Sequence, residues 1–230
     1  MPSVLLTGAS RGLGLEFVRQ YAAAGWQVIA TCRDPARADA LQAIAGQTSA
    51  GKVEIHALDA GDFAAVAALA ERLSAQALDI VIANAGIWGP SSMTAEQVDA
   101  AGWAETFHIN TMAPLALAGA FRPHLERGSQ RKAVALSSAL GSIGGNTSGG
   151  LYAYRSSKAA LNAAWRSFAF DHPQLIAAVL HPGWVRTDMG GPGAPLAPEE
   201  SIAALRQVIA GLTAADSGGF YGRDGKKHEW

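Results

Sequence analysis

An alternation constrains this chain more than any other feature: short apolar runs take turns with longer, alanine-rich amphipathic stretches from end to end. The short runs fall at 3–7, 27–31, 53–58, 79–83, 132–137, 175–181 and 219–222. They are near-continuous Val, Ile, Leu and Ala with little in-out alternation, the pattern of parallel strands buried on both faces. The stretches between them, 12–24, 35–45, 62–76, 95–108, 111–127, 151–170 and 198–212, carry helical spacing. Repeated strand–helix units require right-handed crossovers and lead to an α/β fold, a doubly wound parallel sheet with helices on both faces. No repeat, charge block or linker divides the 230 residues, so one domain over 1–230 is expected. Glycines and prolines between 187 and 198 interrupt regular structure and mark 188–197 as a short, flexible lid.

Composition excludes several functions. Eighteen basic residues against nineteen acidic ones leave no positive surplus to displace counterions from a nucleic-acid backbone. The single cysteine, Cys32, has no partner for a disulfide and no companions for a metal cluster. The longest apolar stretch, 63–70, is far shorter than the ~18 residues a membrane span requires. No secretory leader precedes the first strand, so a cytoplasmic protein is expected.

The first strand runs directly into Thr7-Gly8-Ala9-Ser10-Arg11-Gly12-Leu13-Gly14, which opens a helix. Glycines at 8, 12 and 14 allow a tight turn, close backbone approach to a pyrophosphate and tight helix–strand packing, and the helix N-terminus offers free N–H groups to the phosphates. A Rossmann-type dinucleotide site is expected there. At the end of the second strand, where an acidic residue would hold the adenosine ribose of NAD, the chain has Thr31-Cys32-Arg33-Asp34. Arg33, together with Arg11 in the glycine turn, favours a 2′-phosphate and therefore NADP(H) over NAD(H). The alternative leaves Arg33 in solvent and gives the ribose to Asp34.

Tyr154 and Lys158 are four apart on a helical stretch and share a face. A phenol ionises near pH ~10, and a neighbouring ammonium draws that value toward neutrality. Other polar groups gather at the carboxyl edge of the sheet, where open α/β folds bind ligands: Asn84-Ala85-Gly86 after strand four, Ser137-Ser138 after strand five, Asn110 on a helix, and His181-Pro182-Gly183 through Thr187 after strand six.

On these motifs the chain resembles the short-chain dehydrogenases/reductases over essentially its whole length. The segments SSALGSIGGNTSGGLYAYRSSKAALN, HPGWVRTDMGG and FYGRDGKKHEW resemble, more narrowly, the C-factor and sniffer-type carbonyl reductases. The resemblance implies roles. Tyr154 would donate the proton to a carbonyl, Lys158 would lower its pKa and hold the nicotinamide ribose, and Ser138 would bind the substrate oxygen. Asn110 would fix a water linking Lys158 to solvent. Asp59 would read the adenine edge, while Asn84, Ala85 and Gly86 would line the cofactor bed. Pro182, Gly183, Val185 and Thr187 would hold the carboxamide, and Gly8, Ser10, Arg11, Gly12, Leu13 and Gly14 the phosphates.

Ser138 lies sixteen residues before Tyr154, where the family has about thirteen, so Ser142 competes for its role; Tyr152 competes more weakly with Tyr154 because no lysine follows it at four residues. The function expected is NADPH-dependent reduction of an aldehyde or ketone. A dinucleotide-binding signalling protein of C-factor type and an NAD-dependent alcohol dehydrogenase are the alternatives. Trp88, Trp184 and Met189 suggest an apolar mouth, and the short lid an open, weakly selective site. Small residues on 111–127 and 151–170 favour a homodimer or homotetramer.

Overall fold

The computed structural model describes residues 1–47 and 51–230. Its seven strands are β1 (Ser3–Leu6), β2 (Gln27–Cys32), β3 (Lys52–Ala57), β4 (Ile80–Ala83), β5 (Lys132–Leu136), β6 (Ile176–His181) and β7 (Gly219–Gly222). They form one sheet in the order β3-β2-β1-β4-β5-β6-β7, with every pair parallel. The winding direction reverses between β1 and β4, and a crevice opens there at the carboxyl ends of the strands.

The helices are α1 (Gly12–Ala23), α2 (Asp39–Gln47), α3 (Phe63–Arg72), α4 (Ala100–Phe107), α5 (Ala113–Arg127), α6 (Tyr152–Asp171) and α7 (Pro198–Gly211). Strand residues alternate between two cores. Leu5, Val81, Ala133 and Val179 face α3, α5 and α6, where Val66, Leu69, Phe121, Leu161 and Trp165 pack. Val4, Leu6, Ile82 and Leu180 face the other way, against Phe17 and Val18 of α1, Leu41 of α2, and Ile202, Leu205 and Ile209 of α7. Burial on both faces explains why the strands read as unbroken apolar runs.

Several helices are shorter than their apolar spacing predicts, and capping side chains explain two of the starts. Asp99 accepts from the Gly102 N–H at 2.9 Å, so α4 begins at residue 100 and not at 95. Asp62 accepts from the Ala65 N–H at 2.9 Å and caps α3. The expected helix over 35–45 divides into a 3₁₀ turn, Pro35–Arg37, and α2. The expected helix over 111–127 begins as a π-helical turn, His108–Met112, continuous with α4 and α5.

Among the described residues, no helix is long and apolar enough to cross a membrane, and no group of His, Cys, Asp and Glu side chains could hold a metal ion.

Candidate active site

A groove of about 370 Å³ runs along the carboxyl edge of the sheet. Its phosphate end is the turn between β1 and α1. Gly8 adopts a φ of 70°, a conformation disfavoured for residues with a Cβ. A Cβ on Gly14 would stand 2.1 Å from the Gly8 carbonyl oxygen, so only glycine lets the helix approach this closely. The N-cap, Arg11, makes no side-chain cap bond, which leaves the first N–H groups of α1 facing the groove. Ser10, Gly12 and Leu13 line the same end. A turn that only glycine can make, with uncapped helix N–H groups beside it, fits the phosphates of a dinucleotide.

Arg33 and Cys32 line the groove at the end of β2. Arg33 forms no ion pair among the described residues. Asp34 turns away, its carboxylate accepting from the Ala36 N–H at 3.1 Å to cap the following turn. Arg11 differs from the expectation of two free guanidiniums: its Nη1 donates to Asp188 Oδ2 at 2.8 Å across the groove, with both side chains about three-quarters exposed.

Beyond β3, Asp59 lines the groove and accepts from the Gly61 N–H at 2.9 Å. Leu58 and Ile109 add apolar surface and Glu105 a carboxylate. Sequence alone does not single out these three: the four-residue spacing of Glu105 and Ile109 is the one signal, and many helical pairs share it.

Asn84, Ala85 and Gly86 follow β4 along the floor. The Asn84 amide donates to the carbonyls of Thr7 at 2.8 Å and Gly8 at 3.2 Å, tying the floor to the glycine turn. Asn110 is fully buried behind Gly86. It accepts from the Ile87 N–H at 2.8 Å, and donates to the Ile87 carbonyl at 2.9 Å and to Ser157 Oγ at 3.0 Å. The π turn widens the helix at this residue, a device often found where a helix serves a site.

Tyr154 and Lys158 project from α6 into the groove. Burial raises the Tyr154 phenol above its ordinary value, and the neighbouring Ser138 hydroxyl partly offsets this. Burial also pulls the Lys158 ammonium down to about 8. Lys158 Nζ donates to the Leu136 carbonyl at 2.8 Å and lies 5.9 Å from the centre of the Tyr154 ring. The ammonium was expected to draw the phenol toward neutrality; in this structure burial dominates and the phenol moves the other way.

Ser138 leaves β5 at the edge of the sheet and caps a short 3₁₀ turn, accepting from the Leu140 N–H at 3.2 Å. Ser142 faces elsewhere, accepting from the Gly145 N–H at 3.0 Å and donating to the Trp230 carbonyl at 3.4 Å. Tyr152 is 43% exposed at the start of α6, whereas Tyr154 is 7% exposed.

After β6, Pro182 and Thr187 line the groove, as do Asp188 and Met189. Gly183 and Val185 lie outside this lining. Val185 is buried and pairs with Leu196, whose side chain also packs on Gly183. The lid is therefore better braced than its glycine content predicts. Arg186 N–H donates to the Leu196 carbonyl at 2.9 Å, and the Arg186 guanidinium donates to the carbonyls of Ala194 and Pro195 at 3.2 and 2.8 Å.

A short chain dehydrogenase family model matches residues 2–194. The chain is 43% identical to the C-signal protein of Myxococcus xanthus over 155 residues, which cover 66% of this chain and 93% of that one. Among solved structures, the carbonyl reductase Sniffer of D. melanogaster superposes over 100% of both chains with a TM-score of 0.91 at 38% identity. An NADPH-bound carbonyl reductase from chicken fatty liver superposes over 100% of this chain and 99% of its own, with a TM-score of 0.91 at 35% identity. The sheet order, the glycine turn and the groove thus accompany a likeness that extends through the whole fold, and the chain belongs to the short-chain dehydrogenase/reductase family of oxidoreductases.

Proposed function

We propose that the protein is an NADPH-dependent reductase of aldehydes or ketones, with Tyr154 as the proton donor. One observation carries this reading: a buried phenol with the Ser138 hydroxyl beside it and the Lys158 ammonium one helical turn on, all at the carboxyl edge of a dinucleotide groove. The nicotinamide supplies hydride to the carbonyl carbon when the cofactor is bound. The chain's own residues do the rest. Ser138 donates a hydrogen bond to the carbonyl oxygen as negative charge develops there, and Tyr154 delivers its hydroxyl proton to the same oxygen, so an alcohol is formed. Lys158, held on the Leu136 carbonyl, lies within the groove where it can hold a ribose hydroxyl and restore the tyrosine's proton. Asn110 anchors the π turn against the loop after β4, and in this reading its position fixes a water that links Lys158 to solvent.

The preference for NADPH over NADH rests on Arg33, which lines the groove with no ion pair among the described residues, and on Asp34, which is engaged elsewhere. Support also comes from the chicken carbonyl reductase, whose structure contains NADPH. Exposed Trp184 and Met189 beside a short lid fit a wide, apolar mouth and broad selectivity. Self-association through α5 and α6 and a cytoplasmic location complete the reading. The likeness to the C-signal protein favours a second reading, a signalling role that uses the dinucleotide site.

The direct test is NADPH oxidation by the purified protein over a panel of aliphatic and aromatic aldehydes and ketones. Turnover of several of these, with NADPH outperforming NADH at least tenfold in kcat/KM, supports the reductase. NADPH binding without turnover of any carbonyl favours the signalling reading.

A further inference from the structure

Trp88, in the loop that follows β4, is expected from the sequence only to add apolar surface at the mouth of the site, yet it meets the proton donor directly. Its indole stacks on the Tyr154 ring with centroids 4.5 Å apart and an interplanar angle of 29°. Helix α6 fixes where the tyrosine's Cβ lies, but the direction of the ring depends on what rests against its faces. Ser138 meets the polar end of the side chain, Lys158 stands 5.9 Å from the ring centre, and Trp88 supplies the aromatic slab. Three separate elements thus converge on one phenol: the loop after β4, the end of β5 and helix α6.

We propose that Trp88 is a positioning residue for the proton donor, its indole sealing one face of Tyr154 and holding the phenol dry and directed toward Ser138. The proposal rests on the reading of Tyr154 as proton donor. A stacked indole excludes water from the ring, and its electron-rich face opposes a negative charge on the neighbouring phenol. Both effects favour the protonated hydroxyl, which is the form needed for reduction. The other charged groups of the groove are Lys158 on the same helix, Glu105 on α4, Asp59 after β3, Asp188 in the lid, and Arg11 and Arg33 on the cofactor loops. Among the described residues no carboxylate is hydrogen-bonded to the phenol; burial and Ser138 govern its ionisation.

The experiment measures the ionisation and the rate separately. Tyrosinate formation is followed by ultraviolet difference absorbance during a pH titration of the wild type, Trp88→Ala, Trp88→Leu and Trp88→Phe. The same titration of each in a Tyr154→Phe background isolates the Tyr154 signal. Kinetics use NADPH with benzaldehyde and with a small aliphatic aldehyde. Removing the indole should lower the Tyr154 midpoint by roughly one pH unit, as water reaches the phenol. It should lower kcat by about tenfold with a smaller change in KM, the signature of a misplaced catalytic group and not of a lost substrate wall. Trp88→Phe, which keeps an aromatic face, should recover most of both effects. Trp88→Leu keeps the bulk and carries the test if the alanine variant does not fold. An unchanged midpoint with kcat within about twofold of wild type, or a change confined to KM, overturns the proposal. A Tyr154→Phe protein with normal turnover contradicts the proton-donor reading instead, and leaves the titration of Tyr154 in the Trp88 variants unaffected.

Discussion

Ser138 and Ser142 are four residues apart, equally small and both buried, yet their surroundings assign them different tasks. The Ser138 hydroxyl stands at the end of β5 beside the Tyr154 phenol. The Ser142 hydroxyl is engaged in a turn with Gly145 and in a contact with Trp230. Ser138→Ala should therefore reduce kcat for carbonyl reduction about a hundredfold, the usual loss when one donor to a developing oxyanion is removed. Ser142→Ala should stay within about threefold, and the reverse ranking would transfer the role. The strand-end position of Ser138 was legible in the sequence because an apolar run ends there. Its unusual distance from Tyr154 was legible too, but not its meaning: the extra residues are taken up by a 3₁₀ turn and by the glycine-rich bends that follow. Nor could the sequence reveal the stack of Trp88 on Tyr154, because a contact between a loop and a helix separated by α4, α5 and β5 leaves no periodic signal.

At the level of elements, apolar runs located all seven strands to within a residue or so, because a strand buried on both faces tolerates few polar positions. Helix ends were less legible, since periodicity extends past the point at which a side chain such as Asp99 caps the first turn. The π turn at Asn110 was invisible, as its one-residue widening depends on tertiary contacts to Ile87 and Ser157. The glycine turn and the lid show a further relation between elements. They are tied across the groove by Arg11 and Asp188, an exposed pair that engages one of the two cations expected for the 2′-phosphate. Such pairs are worth at most ~1 kcal/mol. Asp188→Ala should thus free Arg11 and tighten NADPH binding by up to about fivefold in a fluorescence titration, with a smaller change for NADH. Weaker NADPH binding in this variant would show instead that the pair helps to hold the cofactor.

Across the whole molecule the sheet has a working edge and a structural edge. At the amino ends of the strands, opposite the groove, Asp79 accepts from the N–H groups of Ser3 at 2.8 Å, Ser129 at 2.9 Å and Gln130 at 3.3 Å, and from the Ser129 hydroxyl at 2.6 Å. Burial disfavours the carboxylate, but the hydrogen bonds from Ser129, Ser3 and Gln130 outweigh it and hold its pKa below the ordinary value. Its contribution to stability is therefore present in full above pH ~4 and is lost as pH falls through the depressed value. Asp79→Asn should cost about 2 kcal/mol at pH 7, and the melting curves of variant and wild type should converge below pH ~4. A constant gap between them down to pH 3 would remove Asp79 from the acid response. At the working edge, the division between a legible fold and a partly legible site follows from chemistry. Glycine, tyrosine and lysine carry their roles in residue type and spacing, whereas partners such as Ser157, Glu105 and Trp88 acquire theirs only when the chain folds. The central claim is that Tyr154 is the proton donor of an NADPH-dependent reductase, and Tyr154→Phe tests it most directly, with NADPH oxidation on an accepted aldehyde measured beside NADPH binding. The account predicts a loss of turnover of at least about a hundredfold with the NADPH dissociation constant unchanged within about threefold; turnover within about tenfold of wild type would contradict it.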